Sequence, residues 1–113
     1  MIRVTLFRNS AQEYTGYELS GHADYAEEGS DIICSAVSVL AINTANSIEA
    51  FTEDRVKAEE REDGGYLKVD VQEPVSQQSQ LLLKSLALGL KMIEDTYGRE
   101  FIRVTEKSRN PIY

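Results

Sequence analysis

The sequence predicts an α+β fold, a largely antiparallel sheet of about five strands with two helices packed on one face. Three observations predict it: an alternating pair of segments opens the chain, a second alternating pair flanks an Asp-Gly turn, and two stretches of helical period separate these pairs from each other and from a last strand. The order ββαββαβ, read as hairpins rather than βαβ crossovers, is the basis for expecting antiparallel pairing. In "MIRVTLFRN", Ile2, Val4 and Leu6 alternate with Arg3 and Thr5, and "EYTGYELSGH" continues with Tyr17 and Leu19 on either side of Glu18. Asn9 to Gln12 make the turn between them.

The first helix is read from "DIICSAVSVLAINTANSIEAF", where Ile33, Val37, Leu40, Thr44 and Ile48 recur at three- and four-residue steps and Ala36, Ala41 and Ala45 widen the stripe. Ser30 and Asp31, good capping types, mark its start. "RVKAEERE" and "GYLKVDVQ" flank Asp63 to Gly65 as a hairpin, with Leu67, Val69 and Val71 facing inward. Beyond Pro74, a Ser76 cap opens a second helix whose core stripe is Leu82 or Leu83, Leu86, Leu90, Ile93 and Tyr97, ended by Gly98. Leu81, Leu88 and Met92 fall off that stripe and suggest a helix flanked on two sides or a homodimer contact. "EFIRVTEK" is the last strand, with Ile102 and Val104 inward, and "SRNPIY" reads as a tail.

A chain of 113 residues fits one domain, residues 1–113, with a core of its own and room for one site. No apolar run approaches the roughly 18 residues of a spanning helix and no export signal opens the chain, so no membrane association is expected. The single cysteine excludes an internal disulfide and suits a reducing compartment, which makes the cytoplasm the expected location. A net charge of -7, from 19 acidic and 12 basic side chains, opposes direct nucleic-acid binding and favours a basic polypeptide partner.

The only histidine and the only cysteine both lie in "GHADYAEEGSDIICSAVS", residues Gly21 to Ser38. Cys34 falls near the start of the first helix, where unpaired backbone N–H groups favour an anion such as a thiolate. His22 ends the second strand, and an imidazole beside a thiolate serves first as its ion-pair partner and then as proton donor to a leaving amine. Gly21 and Ala23 flank the histidine with small side chains that let a substrate backbone approach, and Gly29 gives the intervening loop a joint, so the segment reads as a substrate gate. Asp24 and Asp31 are candidates to orient the imidazole, with Asp31 also a capping residue; Ser38 shares the face of Cys34 one turn on.

Other readings stand beside this one. Cys34 is in phase with Val37, Ala41 and Ile48, as a buried structural cysteine would be, and a lone histidine is commonly a surface or capping residue. His22, Asp24, Asp31 and Cys34 offer nitrogen, oxygen and sulfur ligands, but no paired Cys or His spacing supports a metal, and no cofactor is expected. A non-enzymatic dimeric adaptor, binding a basic partner through its acidic loop, is the alternative from another class. No Gly-rich phosphate cradle and no G-x-S-x-G elbow is present.

"GHA" at Gly21 to Ala23 and "GSDIICSAVS" at Gly29 to Ser38, set between a strand pair and a long helix, closely resemble the bacterial ribosomal-processing cysteine protease family, Prp or YsxB-like. The resemblance covers essentially the whole chain. It implies a nucleophile at Cys34, its histidine at His22 and a characteristic acidic residue at Asp31, a mobile loop between the two, and a homodimer. It further implies endopeptidase action on the precursor of large-subunit ribosomal protein twenty-seven, removing a short N-terminal extension that ends in aromatic residues.

Overall fold

The computed structural model describes residues 1–22, 30–61 and 64–110. The chain runs β1 (Ile2–Arg8), β2 (Tyr14–Ser20), α1 (Ser30–Phe51), β3 (Val56–Glu60), β4 (Tyr66–Val71), α2 (Gln77–Tyr97) and β5 (Ile102–Ser108), the expected α+β order. The first turn closes on Asn9, whose side-chain oxygen accepts from the N–H groups of Ala11 (2.9 Å) and Glu13 (3.0 Å) while Gln12 takes a left-handed φ of 64°.

The five strands lie in the order β3-β4-β2-β1-β5. Three pairings are antiparallel, and β5 joins β1 in parallel with Ile2 opposite Ile102. The connections correct the expectation of hairpins alone. The β1–β2 and β3–β4 hairpins exist, but β2 runs parallel to β3 across the intervening β4, and β4 runs parallel to β5 across β2 and β1, so each helix is a crossover. The reason is mechanical: a helix of 22 residues carries the chain back along the sheet, and the next strand then runs in the direction of the one before the helix. Turn chemistry reports only pairing between sequence neighbours, so this part of the topology left no local signal.

One core lies between the helices and the sheet. Val4, Leu6, Tyr17, Val69 and Ile102 meet Ile33, Val37, Ala41 and Ile48 of α1 and Leu83, Leu86, Leu90 and Ile93 of α2. Tyr17 is fully buried and donates its hydroxyl to the Ala41 carbonyl (2.6 Å); burial pushes its phenol upward. The α2 cap is as expected, with the Ser76 hydroxyl accepting from the Ser79 N–H (3.1 Å). Gly98 ends that helix at φ 106°, its N–H donating to the Glu94 carbonyl (2.9 Å). The Glu94 carboxylate in turn accepts from the Val104 N–H (2.7 Å), satisfying a donor on the outer edge of β5.

Three expectations change. Tyr97, placed in the α2 core stripe, is 45% exposed, and the buried stripe of that helix ends at Ile93. The supposed tail is structured through Arg109: its N–H donates to the Arg8 carbonyl (2.8 Å), and its guanidinium stacks on Phe7 (4.0 Å) and pairs with Asp70 (2.6 Å). Finally, residues Ile32–Phe51 of α1, with a mean hydropathy of 1.4, are long and apolar enough to span a bilayer by length and composition. One side of this helix is committed to the core, which accounts for much of that apolarity.

At the β5 end, Arg8 and Lys91 both donate to Glu106 (Lys91 Nζ to Oε2, 2.7 Å). The bond from Arg8, followed by that from Lys91, holds the Glu106 carboxyl down at about 2. Because its pKa is lower folded than unfolded, Glu106 contributes stability above the ordinary carboxylate range that is lost as pH falls towards about 2. Glu106→Gln is expected to remove on the order of 1 kcal/mol at neutral pH and to flatten acid destabilisation below pH ~4.5, as measured by urea unfolding across pH.

Candidate active site

The end of β2 and the start of α1 meet at one cleft. Gly21 leaves β2 at φ 86°, donates its N–H to the Gly65 carbonyl (2.9 Å), and lies so close to the chain start that a Cβ would stand 2.4 Å from the Met1 carbonyl oxygen. Glycine at this position therefore serves the approach of Met1, a tighter demand than the substrate access expected of it. His22 follows directly and is exposed.

Cys34 is the fifth residue of α1, which begins at Ser30 itself. Ser30 is thus the first helical residue, and Cys34 lies one turn in, past the four N–H groups that lack helical partners. Helical Cα–Cβ bonds tilt towards the N-terminus, so a side chain at this position leans back over that first turn. Cys34 is half-buried, which sets it apart from the fully buried Val37, Ala41 and Ile48 of the core stripe.

The cleft, of about 280 Å³, brings His22, Cys34 and Ser38 together with Gly21. Its apolar lining comes from Ile2, Leu19, Val37, Ile42 and Leu67, and the β3–β4 hairpin closes one side with Glu60, Arg61, Gly64, Gly65 and Tyr66. Ser38 is exposed and, with Ile42, continues the face of Cys34 at four-residue steps. Tyr66 donates its hydroxyl to Glu18 (2.6 Å), and this bond pushes its phenol up to about 12. The hairpin wall was missed at the sequence level. "DGG" marked the turn, but only the strand order puts β4 beside β2 and so beside His22.

Ala23, Asp24, Glu27, Glu28 and Gly29 lie outside the described residues, as do the side chains of Ser30 and Asp31. Among the described residues no group of three or more His, Cys, Asp or Glu side chains gathers as a metal site.

A half-buried helical thiol and an exposed strand-end imidazole line the walls of one solvent-open cleft, the side-chain types that thiol-dependent hydrolases employ. Comparison with known proteins narrows this class. The family described as "Cysteine protease Prp" matches residues 1–102. The ribosomal processing cysteine protease Prp of Bacillus subtilis is 29% identical over 109 residues, covering 93% of this chain and 96% of its own. That of Staphylococcus aureus is 30% identical over 107 residues, covering 95% and 100%. A crystal structure of the S. aureus protease with a covalently linked product peptide superposes with a TM-score of 0.85 at 30% identity, covering 95% of this chain and 100% of that one. A structure from Streptococcus mutans gives 0.84 at 32% identity, covering 96% of each. The chain belongs to the Prp family and is a cysteine protease.

Gly21→Ala is expected to cost about 1–3 kcal/mol of stability and to lower peptide cleavage at least tenfold, because relieving the clash with Met1 displaces His22. Thermal unfolding and a cleavage assay on the same preparation check both effects.

Proposed function

We propose that this protease is an endopeptidase acting on the precursor of large-subunit ribosomal protein twenty-seven in the cytoplasm, with Cys34 as nucleophile and His22 as its acid and base. The observation that carries the assignment is the presence of both side chains on one open cleft in a chain of this family. The S. aureus relative is a ribosomal processing protease with structures in complex with a substrate peptide and with a covalently linked product peptide.

The chemistry follows from the groups. The Cys34 thiolate attacks the scissile carbonyl, and backbone N–H groups at the start of α1 receive the developing oxyanion. Protonated His22 donates to the leaving amine, which departs as the new N-terminus. Water then attacks the thioester, with neutral His22 taking its proton, and the thiolate is restored as the acid product leaves. Ser38 and Asp31 are positioning residues in this reading. Asp24, Glu27 and Glu28 receive the basic product N-terminus, and residues 23–30, with Gly21 before them, act as the substrate gate.

Incubating the purified protein with extended and already shortened ribosomal substrate tests the assignment. The native protein should shorten only the first, Cys34→Ala should fold and leave it intact, and His22→Ala should be slower by about 10²–10⁴-fold. An extended substrate unaltered by the native protein overturns the substrate assignment, and undiminished cleavage by Cys34→Ala overturns the nucleophile.

We also propose that the protease is a homodimer. Leu81, Leu88 and Met92 on α2 are 69%, 73% and 62% exposed, more apolar surface than one helix leaves uncovered without use. Leu88→Glu is expected to convert the species seen by sedimentation to a monomer without loss of helix content.

A further inference from the structure

The cleft is apolar along most of its length, but its hairpin wall carries charge. Among the described residues lining it, Glu60 is the only carboxylate. Its direction is set by register. Glu60 pairs with Leu67, and Leu67 pairs with Leu19, so Glu60 shares the inner face of the sheet with two residues that also line the cleft. Glu60 is exposed and takes part in no ion pair among the described residues.

Arg61 lines the same wall, but its guanidinium is held in a contact of its own. The Arg61 guanidinium stacks on the Tyr66 ring (4.6 Å), and the Tyr66 hydroxyl is held by Glu18, which alternates with Tyr17 and Leu19 and so lies on the outer face. Cation–π stacking and the Tyr66–Glu18 bond thus hold the Arg61 guanidinium against the Tyr66 ring, while the Glu60 carboxylate stands on the inner face with no ion-pair partner among the described residues.

Sheet geometry also gives a distance. Glu60 lies two strands across from Leu19, roughly 10 Å at ordinary strand spacing, and His22 lies just past the end of β2. An extended polypeptide covers that span in about three residues.

We propose that Glu60 is a specificity-determining residue of this protease, receiving a lysine or arginine side chain about three or four residues from the scissile bond of an extended substrate. The inference rests on the protease reading of the cleft and names a feature of its substrate. An ammonium or guanidinium group at that position pairs with a carboxylate that loses little solvation, and an acidic residue there is repelled.

The test uses labelled peptides spanning the cut site of the ribosomal precursor, with lysine, norleucine or glutamate placed three or four residues from the scissile bond on either side. Binding is read by fluorescence anisotropy on full-length Cys34→Ala protein, so that recognition is measured apart from turnover. The lysine peptide should bind roughly fivefold tighter than the norleucine peptide at low salt on one side of the bond. Adding Glu60→Gln should abolish that preference, and Glu60→Lys should transfer it to the glutamate peptide. Far-UV circular dichroism confirms that both variants keep the fold. Equal lysine preference in all three proteins, or none in the Glu60 protein, overturns the inference. Turnover by the protein with Cys34 intact reports separately on the protease reading, so failure of one is distinguishable from failure of the other.

Discussion

The packing of α1 on the sheet is the constraint from which the site follows. Ile33, Val37, Ala41 and Ile48 bury one stripe of that helix, and the Tyr17 hydroxyl bonded to the Ala41 carbonyl ties the stripe to the middle of β2. Once those residues are buried, the rotation of α1 is fixed. Cys34 follows Ile33 by one residue, about 100° around the helix, and therefore falls at the margin of the stripe, half in the core and half in the cleft. Ser38 and Ile42 inherit the same margin. A helix rotated by one residue would bury the thiol or turn it to solvent, so the packing of the core also sets the exposure of the thiol.

The outer face of the sheet is organised differently. It is covered by neither helix, and it carries a part-buried ion pair beside the buried Phe7 ring. Arg109 reaches across Phe7 to Asp70 over Gly16, where a Cβ would stand 2.7 Å from the guanidinium and 2.4 Å from the Val69 carbonyl oxygen. Glycine at position 16 is therefore what admits the pair. Such a pair returns little net stability once desolvation is counted, but it anchors the chain after β5 to β1, β2 and β4. The Glu106 cluster does comparable work from the inner side, joining β1, α2 and β5 through one carboxylate. Together these contacts secure the parallel β1–β5 pair, which no hairpin connects.

The site combines a legible part with a hidden one. His22, Cys34 and Ser38 were identifiable from a short stretch because a strand end, a small-residue loop and a helix start are consecutive in sequence. The opposite wall, Glu60, Arg61, Gly64, Gly65 and Tyr66, comes from a hairpin more than twenty residues downstream of Ser38 and reaches the cleft only through the β2–β4 pairing. Cys34 also illustrates the limit of boundary reading. A capping residue at Ser30 or Asp31 placed the thiol among the unpaired N–H groups, whereas a helix beginning at Ser30 places it one turn in.

Periodicity and turn chemistry by themselves determined the seven elements, the inward residues of the strands, the Ser76 cap and Gly98 stop of α2, and the proximity of the one imidazole to the one thiol. All of these are local, set by side-chain spacing within a few turns or a single hairpin. The tertiary structure decided what depends on pairing between distant segments: the order β3-β4-β2-β1-β5, the two parallel crossovers, the Arg109–Asp70 pair beyond β5, and the charged wall of the cleft. Strand order is a contest among whole-sheet packings, and the energies that settle it are spread over the core rather than written at any one turn.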